Sequence, residues 1–175
     1  MSIAIAPIGV EDVNRLAADA FIARFGDVAE ASPWVAAAAA RSRPYADREA
    51  MIRAFQSAIA TASAERQLGV LRAHPDLAGR ATLAGEILPD SRTEQASAGL
   101  DRLTAEEFAR FTTLNARYRE RFGFPFILAV RGATKTLILA AFERRLENAP
   151  ADELAAAVGE VQRIVRFRLE GRIAG

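Results

Sequence analysis

Apolar residues recur at steps of three and four along nearly the whole chain, and the strict alternation of a β-strand is almost absent. Residues 11–25 set Val13, Leu16, Ala20, Phe21 and Ala23 on one side and close at Gly26, which predicts one continuous helix. Ser32-Pro33-Trp34 reads as the next start, with Ser32 as N-cap and Pro33 at the first helical position. Arg43-Pro44 ends that helix. Asp47 caps a third, whose Met51, Phe55, Ile59 and Ala62 fall at steps of four, four and three. Ser63 caps a fourth, which carries Leu68 and Leu71. A residue before proline avoids the helical region, so Pro75 sets His74 at or just beyond the C-terminal end of that helix.

Residues 76–90 hold Gly79, Gly85 and Pro89 and are too long for a simple connector, which marks a candidate functional loop. Ser91 and Glu94 have the spacing of a capping box and predict a short helix over 91–98, ended by Gly99. Thr104 and Glu107 make a second box, followed by the stripe Phe108, Phe111, Leu114, Tyr118 and Phe122 and closed by Gly123. Phe124-Pro125-Phe126 must be extended. A helix over 134–148 turns Leu137, Ala141 and Phe142 inward, and Pro150 starts the last, which runs to about residue 169 or beyond. No internal repeat or linker divides the chain. The expectation is an all-α protein: one compact, bundle-like domain, residues 1–175, of about seven or eight helices.

Composition narrows the chemistry. The absence of cysteine excludes disulfides, thiolate metal sites and a cysteine nucleophile. A single histidine, His74, excludes a multi-histidine metal cage within one chain, and a lysine nucleophile would have to be Lys135. No metal site is expected. A formal net charge of +1 gives no general pull toward nucleic acid or an anionic membrane, so neither is an expected partner. No apolar run approaches a membrane span. The first nine residues lack a basic region, and the last match no peroxisomal tripeptide, so a cytoplasmic location is expected.

Four places could carry chemistry. His74 is the one side chain whose unperturbed pKa lies near neutrality, and a helix C-terminus favours its charged form. Glu94 has a structural task in the capping box that is compatible with orienting an imidazole. On the last helix Leu154, Val158, Val161 and Val165 form a stripe whose next step lands on Arg168, while Arg163 and Arg166 lie off it on the solvated side. An arginine in that phase either snorkels at the core edge or enters a pocket, where its fork suits a carboxylate. Phe122-Gly123-Phe124-Pro125-Phe126 is either a hydrophobic plug or a pocket wall with backbone groups to offer a ligand. Asp76 is read as capping the loop after Pro75 rather than as a base. A helical ligand-binding or interaction module without catalysis fits the aromatic wall and Arg168 equally well.

The same residues resemble a known family. His74-Pro75-Asp76-Leu77, Ser91-x-x-Glu94-Gln95-x-x-Ala98-Gly99-Leu100 and Phe122-Gly123-Phe124-Pro125-Phe126, in that order, look like 2-oxo-4-hydroxy-4-carboxy-5-ureidoimidazoline (OHCU) decarboxylases of urate breakdown. Ser32-Pro33-Trp34 and Ile164-x-x-Phe167-Arg168-Leu169 extend the likeness over most of the chain, with Phe167 where the family pattern has leucine. The resemblance implies an all-α, cofactor-free enzyme, usually a homodimer, that forms (S)-allantoin. It implies His74 as catalytic acid/base, Glu94 as its carboxylate partner and Arg168 as the arginine that holds the substrate. It further implies a substrate site lined by Pro75, by Ser91, Arg92, Thr93, Glu94 and Gln95, and by Phe126, Ile127, Leu128, Ala129 and Val130.

Overall fold

A computed structural model describes residues 6–79 and 84–175, and within them the periodicity is realised as helix with no strand. The helices are α1 (Val10–Arg15), α2 (Ala18–Phe25), α3 (Trp34–Ala39), α4 (Arg48–Ala60), α5 (Ala64–Ala73), α6 (Pro89–Ser97), α7 (Ala105–Phe122), α8 (Lys135–Leu146) and α9 (Pro150–Arg172), with a 3-10 turn at Ala40–Ser42. None of them is long and apolar enough to cross a membrane. The chain forms two compact units, one of Met1–Ala73 with Val161–Gly175, the other of His74–Glu160.

In the first unit Phe21, Phe25 and Phe55 meet at centroid distances of 5.0–6.5 Å, and Met51, Ile52, Ile59, Val161, Val165 and Leu169 are buried with them. The continuous helix expected over 11–25 is in fact two. Leu16 leaves the helix with ψ 137°, and Arg43 Nη1 takes its carbonyl at 2.6 Å and that of Val13 at 3.5 Å. Those bonds satisfy the carbonyls at the end of α1, so the chain can turn there without orphaning them. The break also changes the phase: Phe21 and Phe25 face the core, while Ala20 and Ala23 are exposed. At α3 the start lies one residue later than expected, with Pro33 at the N-cap and no side-chain cap. Asp47 caps α4 as expected, accepting from Ala50 N at 2.6 Å. Arg166, expected in solvent, is half-buried and grips both carboxylate oxygens of Glu49 at 2.9 Å. A parallel bridge joins Ile8 to Ile173.

The second unit is built on the aromatic stripe of α7. Tyr118 lies 5.3–5.8 Å from the rings of Phe124, Phe126 and Phe142, and Phe126 stacks on Phe142 at 3.9 Å. The capping box at its start is complete: Glu107 N donates to Thr104 Oγ1 at 3.1 Å and Thr104 N to Glu107 Oε2 at 2.9 Å. Thr104→Ala is expected to cost about 1 kcal/mol, read as a lowered urea midpoint. Gly123 ends α7 in the left-handed conformation, φ 76°. In α8 the inward face is Ile138, Ala141, Phe142 and Arg145, whereas Leu137, expected inside, is 60% exposed. Leu137 lies in the first turn beside the Thr134 cap, one step out of phase with Ile138.

Lys135 Nζ donates to Glu107 Oε2 at 2.8 Å, and this bond above all, with the Thr104 amide second, holds the Glu107 carboxyl below its ordinary value of 4.5. A depressed folded pKa contributes stability that is present above pH 4.5 and lost as pH falls through the folded value. Lys135→Met is therefore expected to flatten that part of the acid-unfolding curve. An acid-unfolding curve identical to that of the unsubstituted chain would count against the coupling.

Candidate active site

His74 is the residue that follows α5, and it is 6% exposed. The chain beyond Pro75 is held residue by residue within the second unit. Gln95 Nε2 donates to Asp76 O at 3.4 Å, Asn115 Nδ2 donates to Leu77 O at 2.9 Å, and Ala78 N donates to Gln95 Oε1 at 2.9 Å. The Asp76 carboxylate, read from sequence as a loop cap, is ion-paired with Arg119 at 2.9 Å. Ala78 takes a left-handed φ of 53° and is 1% exposed. The next residue has to be glycine, because a Cβ on Gly79 would lie 2.9 Å from Asp76 Cβ.

The helix that carries Glu94 begins earlier than the capping-box reading placed it. Pro89 takes the first helical position after Leu88, there is no side-chain cap, and Ser91 sits inside α6 rather than before it. Proline at the first position is preorganised for a helix and has no N–H to satisfy, which explains the shift. Glu94 therefore lies more than one turn into the helix, where the helix dipole has faded. Ser91 and Gln95, four residues apart, are 4% and 3% exposed, Glu94 is half-buried, and Arg92 and Thr93 face outward. Among the residues expected from α6, Gln95 reaches the loop after His74, through Asp76 O and Ala78 N.

Residues 125–130 lie outside regular secondary structure, and Phe126, Ile127, Ala129 and Val130 are buried while Leu128 is half-buried. Two of their backbone groups are anchored by side chains. Arg145 Nη1 donates to Ile127 O at 2.6 Å, and Ala129 N donates to Glu160 Oε2 at 2.8 Å. Arg145 also stands 4.6 Å over the Phe126 ring. Its Nε and Nη2 bind Glu153 Oε1 at 2.8 and 2.5 Å, Asn148 Nδ2 binds Glu153 Oε2 at 2.8 Å, and the Tyr118 hydroxyl donates to Glu153 as well. Glu153 is fully buried, and its charge is met by donors on both oxygens. Burial, reinforced by Glu153, pushes the Tyr118 phenol well above its ordinary pKa, so it remains a donor.

Arg168 belongs to the first unit. It is buried as its helical phase implies, and its guanidinium binds Glu30 Oε1 at 2.9 Å and Val28 O at 3.3 Å. Glu30 is itself 3% exposed and holds a φ of 53°. Sequence reading named neither Glu30 nor Asn115, Arg145, Glu153 and Glu160. The inward stripe of α9 is Glu153, Ala157, Val161, Val165 and Arg168, while Leu154 and Val158, expected inward, are half-buried. Stepping back from Arg168 by threes and fours would have found Glu153, but the apolar Leu154 drew the reading one residue off.

The chain is thus an all-α protein with a buried histidine at a helix end and an aromatic segment, outside regular secondary structure, that charged side chains anchor. A model of the family described as OHCU decarboxylase matches residues 14–170, and the chain belongs to that family. A protein of Haloferax volcanii named 2-oxo-4-hydroxy-4-carboxy-5-ureidoimidazoline decarboxylase is 43% identical over 165 residues, covering 94% of this chain and 96% of its own. A crystal structure titled (S)-allantoin synthase aligns with TM-score 0.78 and 30% identity over 96% of this chain, which spans 54% of the length of that one. A second, of OHCU decarboxylase in the presence of (S)-allantoin, aligns with TM-score 0.67 and 25% identity over 82% of this chain and 92% of that one.

Proposed function

We propose that the chain decarboxylates 2-oxo-4-hydroxy-4-carboxy-5-ureidoimidazoline to (S)-allantoin in urate breakdown, with no cofactor. The observation that carries this is its family membership over residues 14–170. The same span supports treating residues 1–175 as a single decarboxylase domain. The protein works as a cytoplasmic homodimer in this reading.

The substrate carries a carboxylate and a hydroxyl on one ring carbon, beside a C=N bond. When the bond to the carboxylate breaks, its electron pair moves into that C=N, whose nitrogen takes up a proton, and carbon dioxide leaves behind an enol. The C=N is the electron sink, so no pyridoxal or thiamine is required. The hydroxyl proton then departs as the carbonyl forms, and a proton arrives at the neighbouring carbon on one face. His74 handles these protons, and Glu94 orients it. Pro75, the inward side of Ser91–Gln95 and the backbone of residues 126–130 line the substrate. Arg168 holds the anionic substrate, an assignment that rests on its place in Ile164-x-x-Phe167-Arg168-Leu169.

Without an enzyme the same substrate decays to racemic allantoin, which makes the assay direct. Urate is treated with urate oxidase and hydroxyisourate hydrolase, and circular dichroism is followed with and without the protein. Lasting optical activity of the (S) sign is the expected result. A trace that matches the protein-free control would overturn the proposal.

A further inference from the structure

We infer that Asn115 and Gln95 are positioning residues for His74, acting through the backbone of residues 76–78. This rests on the reading of His74 as the proton carrier. Three consecutive residues of that loop are each tied to one of two buried amide side chains. Gln95 bridges the loop, giving a bond to Asp76 O at 3.4 Å and taking one from Ala78 N at 2.9 Å. Asn115, from α7, gives a bond to the carbonyl between them, Leu77 O, at 2.9 Å. Bonds from two separate helices to adjacent peptide groups remove the rotations that would swing Pro75, and His74 with it.

Two features point to placement rather than stability as their purpose. The first is Ala78, whose left-handed φ of 53° is unfavourable for a residue with a Cβ and persists only where the surroundings over-determine it. Here the over-determining bonds are those of Gln95 and Asn115. The second is Asn115 itself. It is 7% exposed, and its Oδ1 has no hydrogen-bond partner among the described residues. A buried amide that makes one bond and leaves its acceptor unused is a poor stabiliser, because desolvation offsets the bond gained. An apolar residue of similar size would serve the core as well, but it could not donate to Leu77 O.

The composition supplies a probe, because His74 is the chain's one histidine and gives a single set of imidazole resonances. The test compares Asn115→Leu and Gln95→Met with the unsubstituted protein by NMR titration of His74 and by steady-state kinetics in the circular-dichroism assay. Asn115→Ala, which removes the donor without burying a charge, serves the same purpose if the leucine variant does not fold. The expected result is a kcat per folded protein lowered about 10- to 100-fold, with KM little changed in the Asn115 variant, and shifted or multiple imidazole resonances. His74 resonances and kcat that stay as they were would overturn the inference. So would a fall in kcat that merely tracks lost folded protein. If the unsubstituted protein fails to give (S)-allantoin, the functional reading falls, and the resonances still decide whether the two amides place the imidazole.

Discussion

His74→Asn keeps the fold and lowers the rate of (S)-allantoin formation by about 10²–10⁴-fold, the usual worth of a well-placed general acid–base group. The reasoning is one of supply as well as placement. The chain has one histidine, one lysine and no cysteine, and that lysine is engaged with Glu107. Among the proposed site residues, no other side chain has an ordinary pKa close to neutrality. His74 is 6% exposed, and asparagine retains a polar group of similar reach, so the loss falls on proton transfer. The measurement is the initial rate by circular dichroism, beside a thermal melt that shows the variant folded. A variant that keeps near-original activity would remove His74 from the role.

Glu153→Ala produces the largest expected loss of stability, about 3–5 kcal/mol, because it leaves Arg145 charged, buried and without its ion-pair partner. For a chain of this size that corresponds to a fall in Tm of roughly 6–20 °C. Glu153 accepts from Tyr118, Asn148 and two nitrogens of Arg145, so the deletion orphans several donors together. The paired change Glu153→Leu with Arg145→Met removes both charges and is expected to recover much of the loss, since well-packed apolar residues can replace a buried ion pair. It also removes the bond from Arg145 to Ile127 O and the cation over Phe126. The double variant is therefore expected to be stable and to have a weakened grip on the substrate, seen as a raised KM. A Glu153→Ala protein as stable as the original would show that this cluster carries no net charge burden.

Several elements were legible because their causes are local. The capping box of Thr104 and Glu107 spans three residues, and any helix starting there brings those groups together. Asp47 caps α4 for the same reason, and Pro75 by itself removes His74 from the helix. The inward phase of Arg168 follows from counting along one helix. Where two local signals competed, spacing alone misled. Ser91 and Glu94 match a capping box, yet Pro89 starts the helix first and carries Ser91 into its buried face. Residues 11–25 are periodic enough for one helix, and only Arg43, far along the chain, draws off the carbonyls that break it.

The sequence by itself determined that the chain is helical, where most helices begin and end, which side of α9 carries its arginine, and that one imidazole is available for proton chemistry. The tertiary structure alone decided what those groups touch. Arg168 meets Glu30 across 138 residues, Tyr118 meets Glu153 across 35, and Asn115 reaches Leu77 across 38. Periodicity within a helix reports which face a residue occupies, because 3.6 residues make a turn whatever the fold. It carries no record of which other segment the chain brings to that face. Partner identity, and with it charge compensation and the bracing of the loop after His74, arises only when distant segments pack together.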